Sequence, residues 1–333
     1  MIEEIISNIY RIEIPLPKNP LRALNSYVIK DPKRNLIIDT GWNQQECLDA
    51  MQAGLKDLGI DIRKTDFFIT HLHSDNLGLV SSLATDSSTI YFNQPDADRI
   101  KAGIFLDDLM NFARLNGFPE RELQKIPHSH PGFKFRSTDP LSFHILKEGD
   151  TLRVSDYAFH CVETPGHSIG HMCLYEHSKK IFVAGDHILR DITPNILLMS
   201  DEWDPLKAYL ESLDKVYHLD IELVLPGHRN TFSNWRERIR ELKDHNQQRL
   251  DEIIAILRKG SRNAFQVASQ MTWNIVYDSW ELFPVSQKWF ATGETISHMK
   301  YLEGKGVIRK EMHQHKRVYC LNDQDGTERL LPG

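Results

Sequence analysis

Short apolar runs separated by turn-forming residues dominate the first part of the chain. The runs NIYRIEI, NSYVIK and NLIIDTG are rich in β-branched and aromatic residues, and KNP and DPKR interrupt them. This pattern is typical of strands joined by turns. Between positions 45 and 58 the period changes, because Cys47, Leu48, Met51 and Leu55 recur at helical spacing. The pattern therefore predicts a meander of strands, then a helix, and then a buried strand in DFFIT.

A helical pattern covers about residues 96 to 132, on both sides of a turn at Gly117 and Pro119. We predict a helical insertion there. Its apolar stripe consists of Ile104, Phe105, Leu106, Leu109, Met110 and Phe112. The stripe fits core packing, and it also fits a lid that shapes a pocket for an acyl chain. Strand patterns return in LSFHIL, DTLRV, YAFHCVET, HMCLYEH and KIFVAGD.

The last hundred residues have a pattern of their own. RERIRELKDHNQQRLDEIIAIL carries an apolar helical stripe, NAFQVASQMTW suggests a second helix, and a third ends at Gly304. KGVIRKEMHQHKRVYCL then predicts two short strands. Three helices and a hairpin are the content of a winged-helix variant of the helix-turn-helix. We therefore predict two domains, 1–233 with the insertion, and a winged-helix-like domain at 234–333.

Composition and charge limit the classes of protein. A hydrophobic share of 41% and a charged share of 26% are typical of a folded globular protein. From Trp235 onward there are 16 Lys and Arg against 13 Asp and Glu, a balance of +3, which leaves −9 before it. Because +3 is far from the charge of a nucleic-acid-binding surface, we expect a small-molecule substrate and do not favour nucleic acid as a partner.

The cysteines and the apolar runs indicate the compartment. The four cysteines are scattered and form no C-x-x-C pair, which argues against disulfides and fits a reducing compartment. The start MIEEIISNIYRIEIP is acidic where a signal peptide is basic, and no apolar run reaches the roughly 18 residues of a membrane span. We expect a cytoplasmic protein without a membrane partner.

Metal-ligand side chains follow directly after the predicted buried strand. In THLHSDNLG, His71 and His73 would share a face of an extended strand, and Asp75 can reach the same region once the chain turns. Two imidazoles and a carboxylate suit zinc, or iron or manganese. The alternative is that these are ordinary surface-loop residues. Asp75 and Gly78, which follow the two histidines, make that interpretation less favourable.

Three further candidates occupy similar joints between a strand and a loop. His167 lies in TPGHSIGH after one strand, Asp186 ends KIFVAGD, and His228 ends LVLPGH. A glycine at each joint lets the backbone turn sharply and direct the side chain. Four such joints in order predict a metal centre.

The ordered set HLHSDN, GHS, GD and PGH resembles the metallo-β-lactamase superfamily of hydrolases, over roughly residues 1 to 230. The resemblance implies an α+β fold, the four-layer αβ/βα sandwich with one or two metal ions at its edge. Carried over by motif, His71, His73 and His167 would bind the first ion. Asp75 and His228 would belong to the second ion, with Asp186 between the two.

One motif position departs from the family pattern, which has histidine after the aspartate. Asn76 stands there, and it is either a weak ligand through its amide oxygen or a donor behind the ligands. The resemblance therefore implies a strong first site and a weaker second one. For His171 and His187 we expect support of the ligands or simple packing, with a weak ligand role as the alternative.

The resemblance also implies a reaction. A metal-activated water would cleave the substrate, with Asp75 as the catalytic residue that holds the water and carries its proton. GHSIGHMCLY looks most like the glyoxalase II-like branch, which favours a thioester, a lactone or another small ester. The alternatives are an endoribonuclease or phosphodiesterase, since some members carry a winged-helix-like domain, and a non-catalytic metal-binding module. We expect the C-terminal part to cover the active site or to form a homodimer interface.

Overall fold

The computed structural model describes residues 2–103, 106–135, 141–274, 277–322 and 331. Two positions of the predicted apolar stripe, Ile104 and Phe105, lie outside the described residues. The chain folds as two compact units. The first unit comprises Met1–Gly103, Pro131–Pro194 and Ser212–Trp235, and the second comprises Ile104–His130, Asn195–Glu211 and Arg236–Gly333.

The first unit contains a seven-stranded sheet whose strands are neighbours in chain order. They are β1 (Ile2–Ile6), β2 (Ile9–Pro15), β3 (Ala23–Ile29), β4 (Asn35–Ile38), β5 (Thr65–Phe68), β6 (Ile90–Asn93) and β7 (His144–Leu146). The first four strands pair antiparallel, as tight turns require. From β4 to β7 the pairs are parallel, so the segments that follow β4, β5 and β6 begin at one edge of the sheet.

A five-stranded sheet completes the β structure of this unit. It has the order β12-β11-β10-β9-β8. Its strands are β8 (Thr151–Val154), β9 (Tyr157–Glu163), β10 (Met172–Glu176), β11 (Ile181–Gly185) and β12 (Leu223–Pro226). The pair of β11 and β12 is parallel, and the other pairs are antiparallel. Every strand predicted from the apolar runs of this unit is therefore confirmed.

Helices account for most of the remaining regular structure. They are α1 (Gln45–Asp57), α2 (Ser74–Leu77), α3 (Val80–Leu83), α4 (Gln94–Ala102), α5 (Leu106–Leu115), α6 (Glu120–Leu123), α7 (Ile126–Ser129), α8 (Pro131–Lys134), α9 (Pro205–Tyr217), α10 (Trp235–Leu257), α11 (Ala264–Ala268) and α12 (Val285–Gly304). The predicted helix after the first strands is α1, with Cys47, Met51 and Leu55 buried. Short 3-10 helices cover Ile62–Lys64 and Trp280–Leu282.

Two apolar cores hold the first unit together. One core joins the two sheets, with side chains such as Phe68 from the first and Phe159 and Leu174 from the second. The other lies on the opposite face of the seven-stranded sheet and contains Met51 of α1 together with Ile12 and Ile37. Cores on both faces of the sheet explain why all four residues of β4 and all four of β5 are buried, without alternation. The predicted α+β fold class, with two sheets packed against each other and helices in the C-terminal part of the chain, is confirmed.

The second unit is built mainly from helices. Within it α12 packs against α7 and α11, and β13 (Ile308–His313) pairs antiparallel with β14 (Lys316–Leu321). The predicted helix end at Gly304 and the hairpin are confirmed. The helix predicted in NAFQVASQMTW is only five residues long, from Ala264 to Ala268, and Asn263 caps it.

The division into units differs from the predicted domains in two segments. Part of the predicted insertion, Ile104–His130, and the segment Asn195–Glu211 belong to the second unit. The physical reason lies in polar contacts within that unit. Lys288 pairs with Glu122 at 3.0 Å, and the Tyr319 hydroxyl donates to Asn116 Oδ1 at 3.0 Å.

Candidate metal centre

His71 and His73 follow the end of β5, as expected, but His71 lies in a bend and not on an extended strand. The strand ends at Phe68, and His73 is the residue that precedes α2. The bend still brings the two imidazoles together, with His71 Nε2 2.9 Å from His73 Nδ1. The residue pattern therefore predicted the pair correctly, although the local backbone is different.

The third histidine comes from the loop between β9 and β10. The ring centroid of His167 is 4.8 Å from that of His71 and 4.6 Å from that of His73. Among the described residues, one nitrogen from each of these three side chains lies within 4.8 Å of the others. Imidazole nitrogens this close are a suitable donor set for a divalent ion such as Zn²⁺.

A second group adjoins the three histidines. Asp186 Oδ2 is 3.4 Å from both His167 Nε2 and His228 Nε2, and Asp75 Oδ2 is 3.5 Å from His228 Nε2. His228 Nδ1 is 2.7 Å from the Ala23 carbonyl. Because a carbonyl only accepts, Nδ1 is the donor, and this bond directs Nε2 of His228 toward the carboxylates. The structure thus brings together all six side chains that the sequence singled out.

Burial and mutual charge set the protonation of this cluster. Burial opposes a charge on His228, but Asp186 and Asp75 raise the pKa of His228 to about 9. Burial also opposes a charge on Asp186, yet His228 and His167 hold the pKa of Asp186 well below its ordinary value. Burial raises the pKa of Asp75. Burial and the neighbouring imidazoles hold the pKa of His71 well below its usual range, so His71 is a neutral donor.

The environment of Asp186 fits a divalent ion. Its Oδ1 atom is buried and has no hydrogen-bond partner among the described residues. A Cβ atom added to Gly227 would lie only 2.5 Å from that oxygen, so the backbone leaves room for the carboxylate and for little else. A buried carboxylate oxygen without a hydrogen-bond donor is a costly arrangement that a cation relieves.

The amide nitrogen of Asn76 is directed toward Asp39, so only the amide oxygen could bind a metal ion. It is fully buried in α2, and its Nδ2 donates to Asp39 Oδ2 at 2.9 Å. Only Oδ1 remains for an ion, and this atom has no hydrogen-bond partner within the described ranges. An amide oxygen is a weaker ligand for a borderline ion than the imidazole of the family motif.

Asp39 is a residue of the site that the sequence reasoning missed. The Thr70 hydroxyl donates to Asp39 Oδ2 at 2.9 Å and accepts from His71 Nδ1 at 3.0 Å, which leaves His71 Nε2 for the cluster. Burial raises the pKa of Asp39 to about 7, against the donors Thr70 and Asn76. The available signal was an aspartate in NLIIDTG at the end of a buried strand, in the same kind of position as Asp186.

His171 and His187 lie near the cluster, with ring centroids 5.0 Å apart for His71 and His171 and 6.2 Å apart for His171 and His187. His171 Nδ1 is 2.8 Å from the Thr164 hydroxyl, and its Nε2 accepts from the backbone N–H of Asp186 at 3.1 Å. With both nitrogens bonded to protein, His171 supports the position of Asp186. His187 is buried, and burial lowers its pKa to about 3.

Comparison with known proteins agrees with the fold and the motifs. The family model of the metallo-beta-lactamase superfamily matches residues 20–228. The chain is 26% identical over 266 residues to the lactamase-like protein adaB of Aspergillus niger, covering 78% of this chain but only 66% of adaB. It is 26% identical over 296 residues to the probable metallo-hydrolase YqjP of Bacillus subtilis, covering 85% of this chain and 88% of YqjP.

Two further comparisons concern a named enzyme and a solved structure. The chain is 26% identical over 214 residues to the acyl-coenzyme A thioesterase MBLAC2 of Gallus gallus, covering 62% of this chain and 73% of MBLAC2. A metallo-beta-lactamase family protein from Thermus thermophilus superposes with a TM-score of 0.80 at 24% identity, covering 96% of this chain and 100% of that one. The chain therefore belongs to the metallo-beta-lactamase superfamily and is a hydrolase of that class.

Proposed function

We propose that the chain hydrolyses a thioester or another small ester with the help of one or two bound divalent ions, zinc in the first instance and iron or manganese as alternatives. The observation that carries the proposal is the cluster of three imidazoles next to Asp75, Asp186 and His228. The similarity to a protein named as an acyl-coenzyme A thioesterase supports the thioester, at low identity.

Each residue of the cluster has a proposed task. His71, His73 and His167 would hold the first ion, and Asp75 and His228 the second, with Asp186 between them. A divalent ion held there would polarise the scissile carbonyl and lower the pKa of a nearby water. Asp75 would accept a hydrogen bond from the attacking water and pass its proton to the departing thiolate as the C–S bond breaks. The raised pKa of Asp75 suits this transfer.

The endoribonuclease reading is less well supported, because cations of the C-terminal hairpin are engaged within their own unit. Lys310 lies 3.7 Å from Asp201 and 3.6 Å from Glu303, Arg309 pairs with Glu311 at 2.8 Å, and Arg317 pairs with Asp201. Nucleic-acid binding depends on Lys and Arg side chains that contact phosphates and displace the counterions of the nucleic acid. These pairs reduce the positive charge offered to a nucleic acid.

A substrate panel tests the proposal. Metal-reconstituted protein is assayed with acyl-CoA and glutathione thioesters, lactones, phosphodiesters and RNA, beside a His71→Ala variant that lacks one proposed ligand. We expect the highest kcat/KM for a thioester or small ester and its loss in the variant. Equal rates in both proteins would indicate contamination, and a preference for RNA or phosphodiesters would overturn the proposal.

A further inference from the structure

Asp96 is a fully buried carboxylate outside the predicted ligand set. It lies in the first turn of α4, where its backbone N–H donates to Asn93 Oδ1 at 2.8 Å. A buried carboxylate is expensive to keep in a protein unless its oxygens are well bonded. The partners of Asp96 therefore show which part of the structure depends on it.

Among the described residues, the three donors to the Asp96 carboxylate come from the two loops that carry the histidines. Its Oδ2 accepts from the Leu72 backbone N–H at 3.0 Å and from the Ser168 hydroxyl at 2.8 Å. Its Oδ1 accepts from the Gly170 backbone N–H at 3.0 Å. Leu72 stands between His71 and His73, and Ser168 follows His167 directly. One carboxylate thus connects the two loops at points next to all three imidazoles.

The packing around Gly170 supports the same connection independently. A Cβ atom at Gly170 would lie 1.7 Å from Asn93 Oδ1 and 2.8 Å from the Asp96 backbone nitrogen. The loop that carries His167 therefore lies directly against the start of α4, at a distance that only glycine permits. This close contact between the loop and α4 allows the backbone N–H of Gly170 to reach the Asp96 carboxylate.

We propose that Asp96 is a positioning residue that sets the spacing of His71 and His73 relative to His167, and thereby the affinity of the three-histidine site for a divalent ion. The inference rests on the metal-binding part of the proposed function and is independent of the substrate. Partners behind metal ligands commonly contribute about 10-fold to 100-fold to metal affinity. Asp96 acts through the backbone beside the ligands instead of through their ring nitrogens.

The test is an Asp96→Asn variant, which keeps the shape of the side chain. Whichever way the new amide is oriented, its NH₂ group faces a backbone N–H, of either Leu72 or Gly170, and one bond is lost. We expect zinc binding about 10-fold to 100-fold weaker, measured by competition with a chromophoric chelator. We also expect an altered visible spectrum of the Co²⁺-loaded protein, with an unchanged far-ultraviolet circular dichroism spectrum.

A matched control separates positioning from general stability. Asp66 is also a buried carboxylate. It pairs with Arg34 at 2.7 Å, accepts from the Thr89 backbone N–H at 2.7 Å, and lies in β5, the strand that leads to His71. Asp66→Asn should lower Tm and leave zinc affinity unchanged. An equal loss of affinity in both variants would overturn the proposal.

Two further outcomes decide the inference. Folded Asp96→Asn protein with wild-type zinc affinity and an unchanged Co²⁺ spectrum would overturn it. If that variant does not fold, Ser168→Ala, which removes one donor, should weaken zinc binding about threefold to tenfold, and unchanged affinity would overturn the inference. Zinc binding as expected without thioester hydrolysis would instead overturn only the proposed function.

Discussion

Asn76 and Asp39 together determine what the second group of ligands can offer. The Asp39 carboxylate accepts from the Asn76 amide and from Thr70, and this fixes the amide with its nitrogen toward Asp39. A reversed amide would place two acceptors against each other. The side chain therefore has only its oxygen available on the other side, and the second site depends on Asp75, Asp186 and His228.

Replacement of Asn76 by histidine should strengthen the second site. We expect the unmodified protein to keep about one ion per chain after mild chelation, because the first site has three imidazoles. Asn76→His should keep a larger fraction of a second ion, as measured by elemental analysis after graded dialysis against a chelator. Asn43→His, at an exposed position, is the control, because it shows how much metal an added surface histidine retains. Equal retention of two ions by the unmodified protein would contradict this assignment.

Removal of the Asp75 carboxylate should affect turnover far more than metal binding. Asp75→Ala should lower kcat by about 10²-fold to 10⁴-fold if the carboxylate carries the proton, while zinc affinity of the three-histidine site is unchanged. Steady-state kinetics and chelator competition measure the two quantities. Asp98→Ala, an exposed carboxylate on α4, should leave both at the wild-type level. Activity that survives Asp75→Ala would show that another group carries the proton.

The sequence identified the six ligand candidates but not the residues that hold the ligand-bearing loops in place. His71, His73 and the others could be recognised because metal-type side chains at strand ends are poor packing residues. Asp39 stands at a strand end like Asp186, but Asp96 looks like an ordinary helix-start residue, and the role of both depends on which distant donors fold against them. Two partners of Asp96, Leu72 and Gly170, offer only backbone N–H groups, which carry no residue-type signal.

Asp186 directly follows the end of β11, and His228 follows the end of β12 with Gly227 between them. Gly227 shows how closely the backbone must approach where these parallel strands end. The backbone N–H of Gly227 donates to the Gly185 carbonyl at 2.7 Å, directly before His228 and Asp186. The parallel pairing of these strands shifts register between Val183 and Gly185. The two carboxyl-terminal strand ends therefore deliver one ligand each to the same place.

Gly227→Ala should disturb this joint. The added Cβ would be 2.5 Å from Asp186 Oδ1 and 3.2 Å from the Gly185 carbonyl. Overpacking of this kind costs about 1–3 kcal/mol, so we expect a lower Tm and weaker metal binding, measured by thermal unfolding and chelator competition. Gly304→Ala has its nearest neighbour at 3.9 Å and should leave both quantities unchanged. Tight metal binding by Gly227→Ala would show that the carboxylate can move.

At the level of elements, the apolar runs located the strands because each run had to be buried on a sheet. The bend after β5 was not predictable, since its shape depends on hydrogen bonds of Thr70 to Asp39, on a different strand end. The helix in NAFQVASQMTW was predicted too long. Asn263 and Gln266 form a capping box at its start, but the chain turns after Ala268 with Trp273 Nε1 donating to the Ala268 carbonyl.

Across the whole molecule, stability should depend on pH through a histidine far from the ligands in sequence. His298 in α12 is 1% exposed, and burial lowers its pKa to about 3, with Arg249 and His245 acting in the same direction. Below a pH of about 6.5 the unfolded chain binds a proton at this residue that the folded chain does not. The free energy of unfolding should therefore fall as pH falls from about 6.5 toward 3, by about 1.4 kcal/mol per pH unit.

Variants at two histidines measure this contribution. His298→Gln should flatten the pH dependence of denaturant unfolding between pH 6 and 4, whereas His313→Gln, at an exposed hairpin position, should not. His298 Nδ1 lies 2.9 Å from the Glu294 carbonyl, and its Nε2 lies 3.0 Å from Asn246 Oδ1. A neutral imidazole can donate to only one of these acceptors, and the substitution removes that bond, so the comparison is made on slopes and not on absolute stability. Identical slopes in the two variants would contradict the assignment.

The sequence indicated a change of character near residue 234, close to the range Arg236–Gly333 of the second unit. The assignment of Ile104–His130 and Asn195–Glu211 to that unit could not be read from local patterns, because distant pairs such as Lys288 with Glu122 and Arg317 with Asp201 hold these segments. A winged-helix-like identity for the C-terminal part stays a prediction. No helix within the described ranges is long and apolar enough to cross a membrane.

The first unit is assembled from three separate stretches of chain, and the six proposed ligands are divided among all three. His71, His73 and Asp75 are synthesised first, His167 and Asp186 come from the second stretch, and His228 from the third. During translation the three-histidine group can therefore close well before His228 leaves the ribosome. Of the six proposed ligands, only His228 would be missing when the nascent chain captures an ion, and its arrival would come close to the end of synthesis of this unit.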